Sequence, residues 1–173
     1  FFITKKIWCA SSTHYNEENI CVETHKKLKL KYKNLLTIII PRHIHRTNTI
    51  KNEILKLKLK VHLHDSKKKI NPETDIYLVN SFGQTKSFFK VCKVVFLGGS
   101  IINHGGQNPL EAVRYGCKIV HGPNIWNFDE IYSLLKKYEF SNRIINQGQL
   151  TAKIDNIFNM KTNSKTIKIK IKK

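Results

Sequence analysis

Phe96-Leu97-Gly98-Gly99-Ser100-Ile101-Ile102-Asn103-His104-Gly105-Gly106-Gln107-Asn108-Pro109-Leu110-Glu111 is the stretch on which the reading of this chain turns. It continues the apolar run Val94-Val95-Phe96-Leu97, stops it on a glycine pair, crosses a polar loop and reaches a second pair before a helix start. Glycine permits close backbone approach to a ligand and positive φ. Asn108 suits an N-cap and Pro109 a first helical position, so a helix is expected over residues 108–115, closed by Gly116. The open amides and dipole of such an N-terminus suit an anion such as phosphate. Glu111 falls in the first turn. A carboxylate there can accept from both hydroxyls of a ribose, or simply complement the helix dipole.

Outward from this stretch the chain alternates short apolar runs with amphipathic ones. Strands are expected at residues 7–10, 35–40, 61–64, 76–79, 94–97, 118–120 and 143–146. Helices are expected at 17–32, with Ile20, Val22, Leu28 and Leu30 as apolar positions, and at 49–59, with Ile50, Ile54, Leu55 and Leu57. Further helices are expected at 85–92, 108–115, 128–139 and 150–160, and exposed turns at Lys67-Lys68-Lys69 and Asn71-Pro72. Continuous apolar strands alternating with helices imply a Rossmann-like α/β fold, a doubly wound parallel sheet covered on both faces, with right-handed crossovers. Ligands of such sheets bind at the carboxyl ends of the strands, near the switch in strand order. That directs attention to Ser11-Ser12-Thr13-His14, Pro41-Arg42-His43, Asn80 to Gln84, Gly98 to Asn108, and Gly122-Pro123-Asn124.

The formal net charge is +19. It favours polyanionic partners, although Lys, Asn and Ile are abundant throughout and Arg, the better phosphate fork, is sparse. Biased composition accounts for most of the charge, and a basic face toward an anionic membrane surface remains compatible with it. No run approaches the ~18 apolar residues of a spanning helix. No leader and cleavage-site pattern of a signal peptide is visible, and the opening Phe1-Phe2-Ile3-Thr4 suggests a piece of something longer. Cys9, Cys21, Cys92 and Cys117 are scattered without a C-x-x-C pair, which suits buried thiols in a reducing compartment rather than disulfides or zinc.

The polar loops carry a resemblance. Gly98-Gly99-Ser100, then Gly105-Gly106-Gln107-Asn108-Pro109-Leu110-Glu111, Gly116, Gly122-Pro123 and Asn127-Phe128, resemble the signature of the 3-deoxy-D-manno-octulosonic acid (Kdo) transferases. Ala10-Ser11-Ser12-Thr13-His14 with Glu17-Glu18, Pro41-Arg42-His43 and Ser81-Phe82-Gly83 resemble further motifs of that family, in the same order. The chain departs from the pattern at Asn16, where a Gly is usual, at Gln84 (acidic), at Gln107 (His) and at Ala112 (Pro).

The resemblance implies the C-terminal half of a GT-B type glycosyltransferase. Residues 1–160 would form the domain that binds the donor, CMP-Kdo, and residues 161–173 a basic tail. An N-terminal domain outside this chain would hold the lipid A precursor and the catalytic carboxylate, so no catalytic residue is assigned here. By the same resemblance Pro41, Arg42, Phe82, Gly83, Gln84, Asn108, Pro109, Leu110 and Glu111 meet CMP. A single phosphate needs no bridging metal, so neither metal nor cofactor is expected. The enzyme would be inverting and work at the cytoplasmic face of the bacterial inner membrane in lipopolysaccharide synthesis. The alternatives are a UDP-sugar transferase or epimerase of the same architecture and, ranked lower for want of a motif, a basic nucleic-acid-binding module.

Other residues carry weaker signals. His43-x-His45 and His62-x-His64-Asp65 have the alternate spacing of strand-borne metal ligands, but solvated or strand-end roles are favoured. For His14 and His104 a role near the donor and a structural one are evenly matched. Ser12 lacks the surroundings of a nucleophile elbow. Trp8 and Trp126 read as core or cleft wall, and Asn127 and Phe128 as cap and anchor of the following helix.

Overall fold

The computed structural model describes residues 1–64 and 68–160. The expected basic tail, the strand-like alternation within it, Lys67 of the expected turn and Asp65 of the second histidine motif lie outside the described residues.

The chain begins at the centre of its sheet. β1 (Lys6–Thr13) is followed by α1 (Glu17–Lys31), β2 (Leu35–Pro41), α2 (Thr47–Lys56), β3 (Val61–Leu63) and β4 (Ile76–Leu78). Then come α3 (Thr85–Phe89), β5 (Val94–Leu97), α4 (Leu110–Arg114), β6 (Lys118–His121), α5 (Asp129–Lys137), β7 (Ser141–Arg143) and α6 (Gln147–Asn159). The strands form one seven-stranded sheet in the order β3-β4-β2-β1-β5-β6-β7, and every neighbouring pair is parallel. From β1 the chain passes to β2, out to the edge strand β3 and back to β4 between them, then crosses to β5 on the other side of β1. The switch point therefore lies between β1 and β5, where Ser11 pairs with Leu97.

Period-two alternation within the strands sorts the core onto two faces. Trp8, Ala10, Leu35 and Ile39 pack beneath Cys21 and Val22 of α1, Ile50 and Ile54 of α2, and Leu150, Ile154 and Ile157 of α6. Ile7, Cys9, Leu36 and Ile38 pack beneath Phe88 and Phe89 of α3, Ala112 and Val113 of α4, and Tyr132 and Leu135 of α5. The doubly wound parallel sheet expected from the sequence is the observed one. All four cysteines are buried and unpaired as disulfides.

Several boundaries differ from expectation. α2 ends at Lys56, because Lys58 adopts positive φ and Leu57 and Lys58 donate their amides back into the last turn. Leu55 and Leu57 face solvent instead of the core, as does Leu30 near the end of α1. The helix expected over residues 85–92 closes after Phe89. The last strand lies two residues earlier than expected, at Ser141–Arg143. α6 starts at Gln147, where the Asn146 side chain accepts a hydrogen bond from the Gln149 amide.

Candidate functional site

A bulge at the carboxyl end of β1 begins the site. Between Ser11 and Thr13 the register against β2 shifts, and Ser12 takes φ of 56°, a left-handed conformation that is strained for a serine. Ser11 and Ser12 thereby form one wall of a cavity of about 310 Å³ at the switch point. Leu97, Thr85, Phe89, Gln107, Asn108, Leu110, Glu111 and Arg114 complete it. The volume lies at the lower end of the ~300–1,000 Å³ typical of small-molecule sites.

Opposite the bulge runs the glycine-rich loop, and the close backbone approach expected at Gly98-Gly99 serves a side chain of the protein itself. Glu17, the first residue of α1, is fully buried, and its carboxylate occupies the nest formed by the turn after β5. It accepts from the amides of Gly99 (2.7 Å), Ser100 (3.2 Å) and Ile101 (3.0 Å), and from that of His14 (3.0 Å). Amides so committed offer nothing to a phosphate; the protein carries its own anion in that place. Gly98 serves the same contact, since a Cβ there would collide with the Ser12 carbonyl oxygen and with Glu17 Oε2.

The second glycine pair also has a packing role. A side chain at Gly105, φ 92°, would strike the Asn127 side chain, and the Gly105 carbonyl accepts from the Asn127 amide (3.2 Å). Asn127 was expected to cap the next helix; instead α5 has no side-chain cap, and Asn127 braces the loop. Asn124 does likewise, its Nδ2 donating to the Ile101 and Ile102 carbonyls at 3.0 Å each. Tyr132 of α5 reaches from below to donate to the Gln107 carbonyl (2.9 Å).

α4 is shorter than expected, five residues from Leu110. Asn108 does act at its entrance, accepting from the Leu110 amide at 2.9 Å. A helix this short develops little of the dipole that was expected to attract a phosphate. Charge in and near the cavity comes from side chains instead. Glu111 Oε2 accepts from the Thr85 hydroxyl (2.9 Å), which fixes the carboxylate and leaves Oε1 open to a ligand hydroxyl. Arg114, one turn on, reaches the same cavity.

The sequence-derived residues fall into two groups. Asn108, Leu110 and Glu111 line the cavity. Pro41, Arg42, Phe82, Gly83, Gln84 and Pro109 are not in its lining. Pro41 ends β2 opposite Thr13, and the Arg42 amide donates to the Thr13 carbonyl (2.9 Å), one residue on from the cavity-lining Ser12. Phe82 is 71% exposed on the β4–α3 loop, next to Gly83 at φ 77°, and Gln84 immediately precedes Thr85. Sequence reasoning missed Thr85, Phe89 and Arg114, whose spacing carries no motif, and it did not give Glu17 a role.

Glu18 supports this end of β1. It accepts from the Thr13 hydroxyl and from both terminal nitrogens of Arg46, at 3.0 and 3.2 Å. Burial raises its pKa, an effect that the Arg46 fork opposes. Arg46→Ala would leave this carboxylate buried without its cation. Because Glu18 can then take up a proton, the expected cost at pH 7 is about 2 kcal/mol, shrinking as pH falls toward 5. Urea denaturation at the two pH values reads it.

Among the described residues no group of three or more His, Cys, Asp or Glu is arranged to hold a metal, and Asp65 of the second histidine motif lies outside them. His64 Nδ1 meets the Tyr77 hydroxyl at 2.8 Å, and the His62 ring stacks on Tyr77. Trp8 is core; Trp126 is half exposed beside Gly105.

A doubly wound parallel sheet with a polar cavity at its switch point defines a Rossmann-like α/β domain. No family model matches the chain. In sequence it is 34% identical over 131 residues to the 3-deoxy-D-manno-octulosonic acid transferase of Haemophilus influenzae, covering 76% of this chain and 31% of that protein. It is 28% identical over 163 residues to the transferase of the same name from Aquifex aeolicus, covering 94% and 44%. The chain thus spans less than half the length of these relatives.

Among solved structures, the C-terminal CMP-Kdo binding domain of WaaA from Acinetobacter baumannii superposes with a TM-score of 0.84 at 24% identity, covering 90% of this chain and 81% of that one. The molybdenum cofactor carrier protein of Chlamydomonas reinhardtii gives a TM-score of 0.56 at 11% identity, covering 90% and 99%. The resemblance read from the loops stands: the chain is similar in sequence to named Kdo transferases, and its fold is that of the solved C-terminal domain.

Proposed function

We propose that this chain is the donor-binding half of a GT-B type Kdo transferase, an enzyme that moves Kdo from CMP-Kdo to a lipid A precursor with inversion at the anomeric carbon. The observation that carries the reading is the placement of Asn108, Leu110 and Glu111, from the N-P-L-E motif, on the wall of the switch-point cavity. The sequence likeness to named Kdo transferases supports the same reading.

In this account the open oxygen of Glu111 accepts from the cytidine ribose, and the Thr85 hydroxyl keeps that carboxylate in place. Arg42 forks onto the phosphate. As the glycosidic bond to the phosphate breaks, the guanidinium stabilises the charge left on departing CMP. The acceptor hydroxyl is deprotonated by a carboxylate of the domain outside this chain. The basic surface suits the anionic cytoplasmic face of an inner membrane. Neither metal nor cofactor is required by a monophosphate leaving group.

Calorimetric titration tests this. The chain is expected to bind CMP saturably, in preference to UMP and UDP, with affinity at least tenfold weaker in Glu111→Ala and in Arg42→Ala. Indifference to all three nucleotides would refute the reading, and preference for UDP would favour a UDP-sugar enzyme. The chain alone is expected to show no turnover with CMP-Kdo and acceptor.

A further inference from the structure

At the same carboxyl end of the sheet as the cavity, the rings of His14, His43, His45 and His104 gather from three separate loops. His14 follows β1, His43 and His45 follow β2, and His104 follows β5. The His14 ring lies 4.3 Å from that of His104 and 5.6 Å from that of His43, centroid to centroid, and His45 lies 5.6 Å beyond His43. Arg42 and Arg46 flank the group on the β2 side.

The acids nearby are already committed. Both oxygens of Glu17 are held by backbone amides, and Glu18 is held by Arg46 and Thr13. No carboxylate among the described residues forms an ion pair with Arg42, His14, His43 or His104. His14 is 7% exposed, and its Nε2 is buried without a hydrogen-bond partner. Gly99, at φ 66°, brings backbone against this nitrogen: a Cβ there would sit 3.3 Å from His14 Nε2 and 3.2 Å from His104 Cδ2.

A cluster of basic groups with a buried, unsatisfied imidazole nitrogen and no counter-charge is built for an anion. Its metal-binding reading is closed by the arrangement of the rings. We infer that His14, His43 and His104, with Arg42, form an oxyanion subsite at the switch-point cavity's end of the sheet, occupied by an acidic group of the donor. This inference rests on the CMP-Kdo reading for the identity of that group. The donor offers two oxyanions, the sugar carboxylate and the nucleotide phosphate, and the subsite's chemistry accepts either. The exposed His104 ring packs against the His14 ring, and an oxyanion entering there would give the buried His14 Nε2 a partner.

The test uses the whole chain with isotope-labelled histidine, followed by NMR. Probes are free Kdo, its methyl ester (which lacks the charge), CMP and cytidine. The imidazole signals of His14, His43 and His104 are expected to move with free Kdo and not with the ester, or with CMP and not with cytidine. The first result assigns the carboxylate to the subsite, the second the phosphate. His104→Ala and His43→Ala, both exposed and tolerable to the fold, are expected to weaken the responding ligand at least fivefold. Shifts produced equally by charged and uncharged members of both pairs, or by none, would overturn the subsite. So would unchanged affinity in both variants. Response to free Kdo without any CMP binding keeps the subsite and sinks the nucleotide reading; CMP binding that leaves the rings untouched, with no response to Kdo, does the reverse.

Discussion

Glu17→Ala is expected to cost about 4 kcal/mol of stability, the largest single effect in this domain. The deletion strips four backbone amides, those of His14, Gly99, Ser100 and Ile101, of their acceptor in a site closed to solvent. A buried donor left unsatisfied costs about 1–3 kcal/mol. Water entering the space recovers part of this, which brings the sum down to the figure given. For a chain of this size that corresponds to a fall in Tm of roughly 10 °C or more. Glu17→Gln keeps one acceptor oxygen but turns an NH2 group toward donors, so a loss of about 2 kcal/mol is expected. Thermal unfolding of the two variants checks the order. An unchanged Tm in Glu17→Ala would mean that the β5 loop is held by Asn124, Asn127 and Tyr132 alone.

Acid should destabilise the domain through its buried histidines, starting above the ordinary carboxylate range. Burial, with the charges of His104, His43 and Arg42 adding to it, pushes the His14 pKa down to about 4. Burial likewise brings His121 to about 4, although its hydrogen bond to the Gly122 carbonyl opposes the shift. His25 is lowered by burial too, against the pull of Asp75. A depressed histidine pKa means that the unfolded chain binds the proton first. Stability is therefore full above pH 6.5 and falls as pH drops toward 4. His121 alone contributes about 3 kcal/mol over that window.

Asp75 adds to the loss below the ordinary carboxylate range. Burial raises its pKa, but the neighbouring His25 ring, a hydrogen bond from the Lys60 amide and the Lys29 ammonium outweigh that and hold it well down. Glu18, raised by burial, acts the other way and offsets part of the loss. Urea midpoints at pH 7, 5.5 and 4.5 should decline steadily, and His121→Phe should start lower at pH 7 but decline less. A midpoint flat from pH 7 to 4.5 would contradict this.

How much of this was legible beforehand depends on the range of the interaction concerned. Leu35 to Ile40, interrupted only by Thr37, and Val94 to Leu97 are short apolar runs of strand length, and a strand covered on both faces buries every residue of such a run. That pattern is local, so sheet and layers followed from it. Which side chain meets which loop is not local. Glu17 begins a helix and looks like a carboxylate complementing a dipole; its partners lie more than 80 residues on. Gly98 and Gly99 read as an open cradle because free and occupied amides have the same sequence. Thr85 and Arg114 carry no spacing signal and enter the site only because α3 and α4 pack side by side on one face. Leu55 and Leu57 matched helical periodicity, yet Leu55 faces solvent within the helix and a left-handed Lys58 ends it before Leu57.

The central claim is that the cavity between β1 and β5 seats cytidine monophosphate. Diffraction from crystals grown with CMP addresses it directly. The account predicts the ribose hydroxyls against Glu111, the nucleotide enclosed by Ser12, Thr85 and Gln107, and the phosphate turned toward Arg42. Nucleotide found at another surface with this cavity vacant, or no nucleotide at saturating CMP, would contradict it.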